Sequence, residues 1–222
     1  YTIFVYAGIT LFTCMYVYYL NNNMGYTSAQ TSTVMLIYSI MVIILSAIFG
    51  CFRWDAKLVI TASMILSGAA LCIFHFVTPG TFGLYFIFFM FAIAISAFFV
   101  QSYAVVYEVC DIDAYVSGGK RAGYIVSLFY FISKIMAAVS MFAIGWILRL
   151  VGYDATLPVQ SEETLNGISM GALFISGVAF VIGGIIILKY PGTNKRLNAM
   201  REAMTYKAEG KEYSEEAFKE LL

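Results

Sequence analysis

Charge is what this sequence has least of. Asp, Glu, Lys and Arg together make up 12% of its 222 residues, about half their share in a soluble globular domain. That scarcity excludes a water-covered surface over most of the chain. Thirteen bases and thirteen acids cancel to a net charge of zero, so the basic field of a nucleic-acid binder is missing as well. Histidine is limited to His75, near the end of an apolar run with no second ligand beside it; it reads as an interfacial residue, and no metal site is expected. Cys14, Cys51, Cys72 and Cys110 show no CxxC or Cys/His spacing and read as small apolar residues in helix packing. No motif pairs a nucleophile with a base, so neither an enzyme nor a resident cofactor is expected. No initiator Met, basic leader or small-residue cleavage site precedes the apolar run that begins at Tyr1, and that start reads as an internal cut.

What the chain has in quantity is hydrophobic residues, 61% of the total, gathered into six long runs. They are Tyr1–Leu20, Ser32–Phe52, Leu58–Phe76, Phe82–Tyr107, Gly123–Leu150 and Gly167–Tyr190. About 20 apolar residues at 1.5 Å rise cross the ~30 Å hydrocarbon core of a bilayer. Backbone in lipid must satisfy its own hydrogen bonds, so such runs are helices. The predicted fold class is an all-α membrane protein: residues 1–191 as a six-helix transmembrane bundle and 192–222 as a polar, partly helical tail. In the tail Leu197, Met200, Met204 and then Ala217, Leu221 recur at helical spacing, with Ser214 placed to cap a last short helix. It is expected to be solvated or to lie on the membrane surface.

The connections alternate in charge. Eleven of the thirteen Lys and Arg residues fall on one side, at Arg53, Lys57, Lys120, Arg121 and throughout the tail, while the other side has Arg149 and Lys134 lies within a span. Basic loops stay in the cytoplasm, which predicts a multi-pass protein of the plasma (inner) membrane with both ends of this chain cytoplasmic.

Lys134 is the most informative residue, about a dozen positions into the fifth run and too far from either end to snorkel. A cation at that depth costs several kcal/mol unless paired or hydrated, and marks function by default. None of the thirteen acids lies deep in a span, so its counter-charge must come from another half, a solute or an ion. Ser127, Tyr130, Lys134, Ala138 and Met141 share one helix face, and Ser96, Phe99, Tyr103 and Tyr107 share another with Gln101 offset. The candidate substrate and coupling residues are therefore Lys134, Tyr130, Ser127, Phe99, Tyr103 and Gln101. Aromatic rings with hydrogen-bonding groups suit a sugar, although Tyr and Trp also populate membrane interfaces. For Thr10, Thr13 and Ser96 the expected fate is a hydrogen bond to a carbonyl of their own helix. Gly167, Gly171, Gly177, Gly183 and Gly184 read as close helix packing.

Between the fourth and fifth runs Glu108, Asp111 and Asp113 precede Lys120 and Arg121, with Arg53 on the same side. These charges either form ion pairs that close a cytoplasmic gate or belong to a solvated loop that only sets topology.

The stretch from Tyr107 to Tyr115 (Tyr-Glu-Val-Cys-Asp-Ile-Asp-Ala-Tyr), the Gly-Lys-Arg turn after it, and the span carrying Lys134 resemble the glycoside–pentoside–hexuronide:cation symporters. So do Gly145-Trp146, Val151-Gly152-Tyr153, Gln160-Ser161, Gly167-Ile168 and Tyr190-Pro191. Glu108 stands where that family more often has Asp, and Tyr130 where it more often has a small polar residue. The resemblance implies helices seven to twelve of a twelve-helix major facilitator fold, the C-terminal bundle. It also implies symport of a sugar or glycoside with Na+ or H+ by alternating access, the cation held mainly by an N-terminal six-helix half. Lys134 would be the lysine the family uses near its sugar and cation sites. Two alternatives remain: a carrier of this shape for a lipid or organic anion, and a non-transporting six-helix scaffold acting through its tail.

Overall fold

A computed structural model describes residues 1–51, 54–77, 80–119, 121–157 and 159–221. Six helices long and apolar enough to cross a membrane run through it: α1 Thr2–Asn23, α2 Ser28–Cys51, α3 Ala56–Phe76, α4 Thr81–Ser117, α5 Ala122–Leu150 and α6 Glu162–Leu188. Beyond them lie α7, Asn194–Ala208, and a closing 3-10 turn, Glu216–Leu221. No strand occurs among the described residues.

Local chemistry fixes the helix ends. Asp55 caps α3, its carboxylate accepting from the amides of Lys57 at 3.1 Å and Leu58 at 3.4 Å. Ser161 caps α6 by accepting from the Thr164 amide, and Thr193 does the same for α7 through the Arg196 amide. Asp154 accepts from the hydroxyl and the amide of Thr156, and those bonds hold its carboxyl below the usual carboxylate range. The end of α4 differs from the sequence expectation. Residues 108–117 continue the helix instead of forming a loop, and the turn closes at Gly118, whose φ of +65° is a left-handed cap that a glycine adopts freely. At 37 residues the helix is about 55 Å long, so its last three turns stand clear of a ~30 Å hydrocarbon layer.

The core is built from α1, α3, α4 and α6. Phe12 of α1 stacks on Phe91 of α4 with centroids 3.9 Å apart, and Phe91 stacks in turn on Phe180 of α6. The helices approach closely where glycines meet. A Cβ on Gly68 of α3 would sit 2.6 Å from the Gly177 carbonyl oxygen of α6, and one on Gly177 would sit 2.6 Å from that of Gly68. Gly171, Gly183 and Gly184 likewise face Met15, Val5 and Ile65, so the α6 glycines serve packing within the chain, as the sequence suggested.

The remaining two helices are peripheral. α2 leans on α4 and α5 on α1, with only 11% and 17% of their apolar windows buried against 56% for α4. Leu36, Ile40, Ile43 and Ile44 are exposed on α2, and Phe131, Val139 and Phe142 on α5. The tail, expected to be solvated or to lie on the membrane surface, packs one side on the α4 extension: Leu197, Met200, Ala203, Phe218 and Leu221 bury one another against Ile112 and Tyr115. Ser214 accepts from the Glu216 amide at 3.4 Å, the cap its position suggested.

Candidate functional site

α5 rests on its neighbours through Ser133, Ser140 and Ile144, the side chains it buries. Lys134 follows Ser133 by one residue and is exposed; Ser127, Tyr130, Ala138 and Met141 are exposed with it, so the face drawn from spacing is a real, uncovered one. Among the described residues no carboxylate lies within ion-pair distance of the Lys134 ammonium. Ser127 spends its hydroxyl on the Gly123 carbonyl of its own helix at 2.7 Å.

One turn from Lys134, the Tyr130 hydroxyl meets the Tyr103 hydroxyl of α4 at 3.4 Å, with ring centroids 6.1 Å apart. Tyr103 also packs edge-on to Phe129 at 5.9 Å. One turn back along α4, Phe99 meets Tyr6 of α1 at 6.1 Å, and Tyr6 packs on Phe98 at 5.2 Å. Tyr130, Tyr103 and Phe99, selected from sequence, thus come together in an aromatic wall shared by α1, α4 and α5. Tyr6 was missed, though its signal was present: it stands four and seven residues before Thr10 and Thr13 and so shares a face of α1 with those hydroxyls.

Gln101 is not part of that wall. It is buried on another side of α4, where its amide donates to the Phe49 carbonyl of α2 at 3.1 Å. Ser96 also departs from expectation, reaching across to the Val42 carbonyl of α2 at 3.1 Å instead of bonding within its helix. Thr13 does bond its own helix, at the Ile9 carbonyl.

The acidic residues at the end of α4 are engaged within the chain. Arg201 of α7 gives two hydrogen bonds to Asp111, at 2.7 and 2.9 Å. Arg121 pairs with Asp113 through two nitrogens, and the Tyr190 hydroxyl donates to Glu108 at 3.2 Å. Lys57 donates to the Tyr190 carbonyl at 2.6 Å. Burial and the neighbouring Glu108 carboxylate push the Tyr190 phenol up from its ordinary pKa. Both ion pairs are solvent-exposed and contribute little to stability. Arg53 and Lys120, placed with these charges from sequence, lie outside the described residues. On the opposite end His75 Nδ1 lies 3.1 Å from the Ser169 hydroxyl.

Two comparisons with known proteins bear on this arrangement. A family model described as MFS/sugar transport protein matches residues 1–194. A curated protein of Synechocystis sp., named as an uncharacterized symporter, is 25% identical over 201 residues, covering 84% of this chain and 36% of that protein. The chain therefore spans little more than a third of the length of the relative it matches.

Proposed function

Because the chain belongs to the MFS/sugar transport protein family, we propose that it is the C-terminal six-helix half of a cation-coupled sugar or glycoside symporter. The observation that carries this is Lys134, a cation midway along α5 on an uncovered face, beside an aromatic wall and without an acidic partner among the described residues. A ring face on Tyr130, Tyr103 and Phe99 and hydroxyls near the ammonium suit a polyhydroxylated solute. The missing carboxylate comes from an N-terminal half, which would cover the bare faces of α2 and α5 and hold Na+ or H+. Transport proceeds by rocking of the two halves about the site, with Lys134 exchanging partners as cargo and cation load.

The excess of basic residues near the tail puts both ends of this chain in the cytoplasm, in the plasma membrane. Glu108, Asp111 and Asp113, with Arg121 and the tail, then form the cytoplasmic gate. In the full-length transporter Lys134→Met abolishes sugar accumulation driven by a Na+ or H+ gradient while the protein still reaches the membrane. Normal accumulation by that variant would remove the proposal. Uptake indifferent to both gradients and inhibited by organic anions but not by sugars would point to a carrier of anions, with Lys134 binding their charge.

A further inference from the structure

A polar cavity lies toward the tail end of the bundle, and neither Lys134 nor the wall residues Phe99, Tyr103 and Tyr130 are in its lining. It holds about 540 Å3 between the end of α2, the start of α3, the 100–108 stretch of α4 and the tail helix α7. That volume is within the roughly 300–1,000 Å3 of small-molecule sites. Gln101 and Glu108 line it from α4 and are 6% and 9% exposed. α7 supplies Asn194, Asn198 and Arg201, four and three residues apart and hence on one face. The neighbouring face of the same helix carries Leu197, Met200 and Ala203 into the tail core. Trp54 adds an indole at the rim. Fixed surroundings orient these groups: Phe49 holds the Gln101 amide, Tyr190 donates to Glu108 and Asp111 holds Arg201.

We infer that this cavity is a second saccharide site, at the cytoplasmic end of the bundle, completed by the tail. The choice of a sugar as ligand rests on the symporter reading above. The lining combines an aromatic ring for the apolar face of a pyranose with amides that both donate and accept, a carboxylate that accepts and a guanidinium that donates. Charge selects a neutral ligand. Arg201 is already neutralised by Asp111, and Glu108 has a phenol for its partner. A phosphate or an anionic lipid headgroup would therefore meet the buried Glu108 carboxylate with, among the described lining residues, only the Asp111-paired Arg201 to offset it. Because α7 forms one wall, a sugar bound here bridges the tail to the transmembrane helices.

Gly50 lines the cavity, and a Cβ there would meet nothing within 4 Å, so Gly50→Cys reports on the space without disturbing the fold. The experiment uses the full-length transporter with its other cysteines replaced by alanine, in inside-out vesicles, and measures the rate of maleimide labelling at Gly50→Cys. The probes are glucose, galactose, lactose and maltose, with inorganic phosphate and inositol phosphate for the headgroup alternative; uptake of the same four sugars is measured in parallel. At least one sugar is expected to slow labelling, about tenfold at ten times its dissociation constant. It does so equally with Lys134→Met in the central site, and Asn198→Ala raises the half-protecting concentration roughly threefold or more. Uptake of these sugars without protection overturns the second site. So does protection that vanishes with Lys134→Met, or protection by the phosphates alone. Protection without uptake overturns symport of these sugars and leaves the cavity standing, whereas neither uptake nor protection overturns both.

Discussion

Removing the amide of Gln101 leaves the Phe49 carbonyl of α2 without its donor, between two residues that are both nine-tenths or more buried in the cavity wall. Gln101→Leu is therefore expected to destabilise the protein by about 1–3 kcal/mol, read as a lowered melting temperature in detergent, with the half-saturating sugar concentration at the Lys134 site unchanged. A marked rise in that concentration would instead place Gln101 in the central site, where the sequence had put it. The difference was partly legible in sequence, since Gln101 is two residues from both Phe99 and Tyr103 and so lies across the helix from them; which neighbouring helix it would meet was not. The contact of Tyr130 with Tyr103 was legible because each stands on a helix face drawn from spacing, and Lys134 drew notice as a charge within an apolar run. A smaller effect of this kind is expected at Asp154. Its folded pKa is depressed, so the stability it adds is present above its unfolded value and is lost as pH falls through the folded one. Protease cutting in the 154–157 turn should rise between about pH 5 and about pH 3 in the parent chain, and be high throughout that window in Asp154→Ala.

Helix against helix, the tightest constraint is the crossing of α3 and α6. Gly68→Ala or Gly177→Ala would drive a methyl group into a carbonyl oxygen 2.6 Å away. Neither backbone can yield without moving its helix, so each change is expected to cost about 1–3 kcal/mol, seen as a lower melting temperature and reduced yield in the membrane. Gly145→Ala, where nothing lies within 4 Å, is the control and should be silent. Six spans could be drawn from hydropathy to within a few residues because lipid enforces both length and composition. The rule failed at α4 for the same reason. Glu108, Asp111 and Asp113 end an apolar run, but a helix in water needs no apolar run, and here the tail covers one side of it. The π-helical turns Tyr19–Asn23 and Met170–Ile175 had no signal in composition.

For the whole molecule, the uneven burial of the six helices is the informative quantity. The proposed partner bundle rests on the family match, on Lys134 without an acidic partner among the described residues and on two nearly bare helices, and of these the lysine was available from sequence. The docking of the tail was not, because it depends on a helix extension that the hydropathy rule cut short. Phe218 is 1% exposed in that dock, and Phe218→Ala should release the tail, giving rapid protease cutting between residues 209 and 215 while the six spans stay folded. Resistance equal to the parent chain would mean that the ion pair of Arg201 with Asp111 suffices. The length of α4 has a further mechanical result. A rod of about 55 Å that pivots near its middle is a lever, so a tilt of about 10° at the aromatic wall carries Ser117 sideways by about 5 Å. The tail is fastened to that end, so a small rotation at the wall becomes a displacement of several ångströms at the tail.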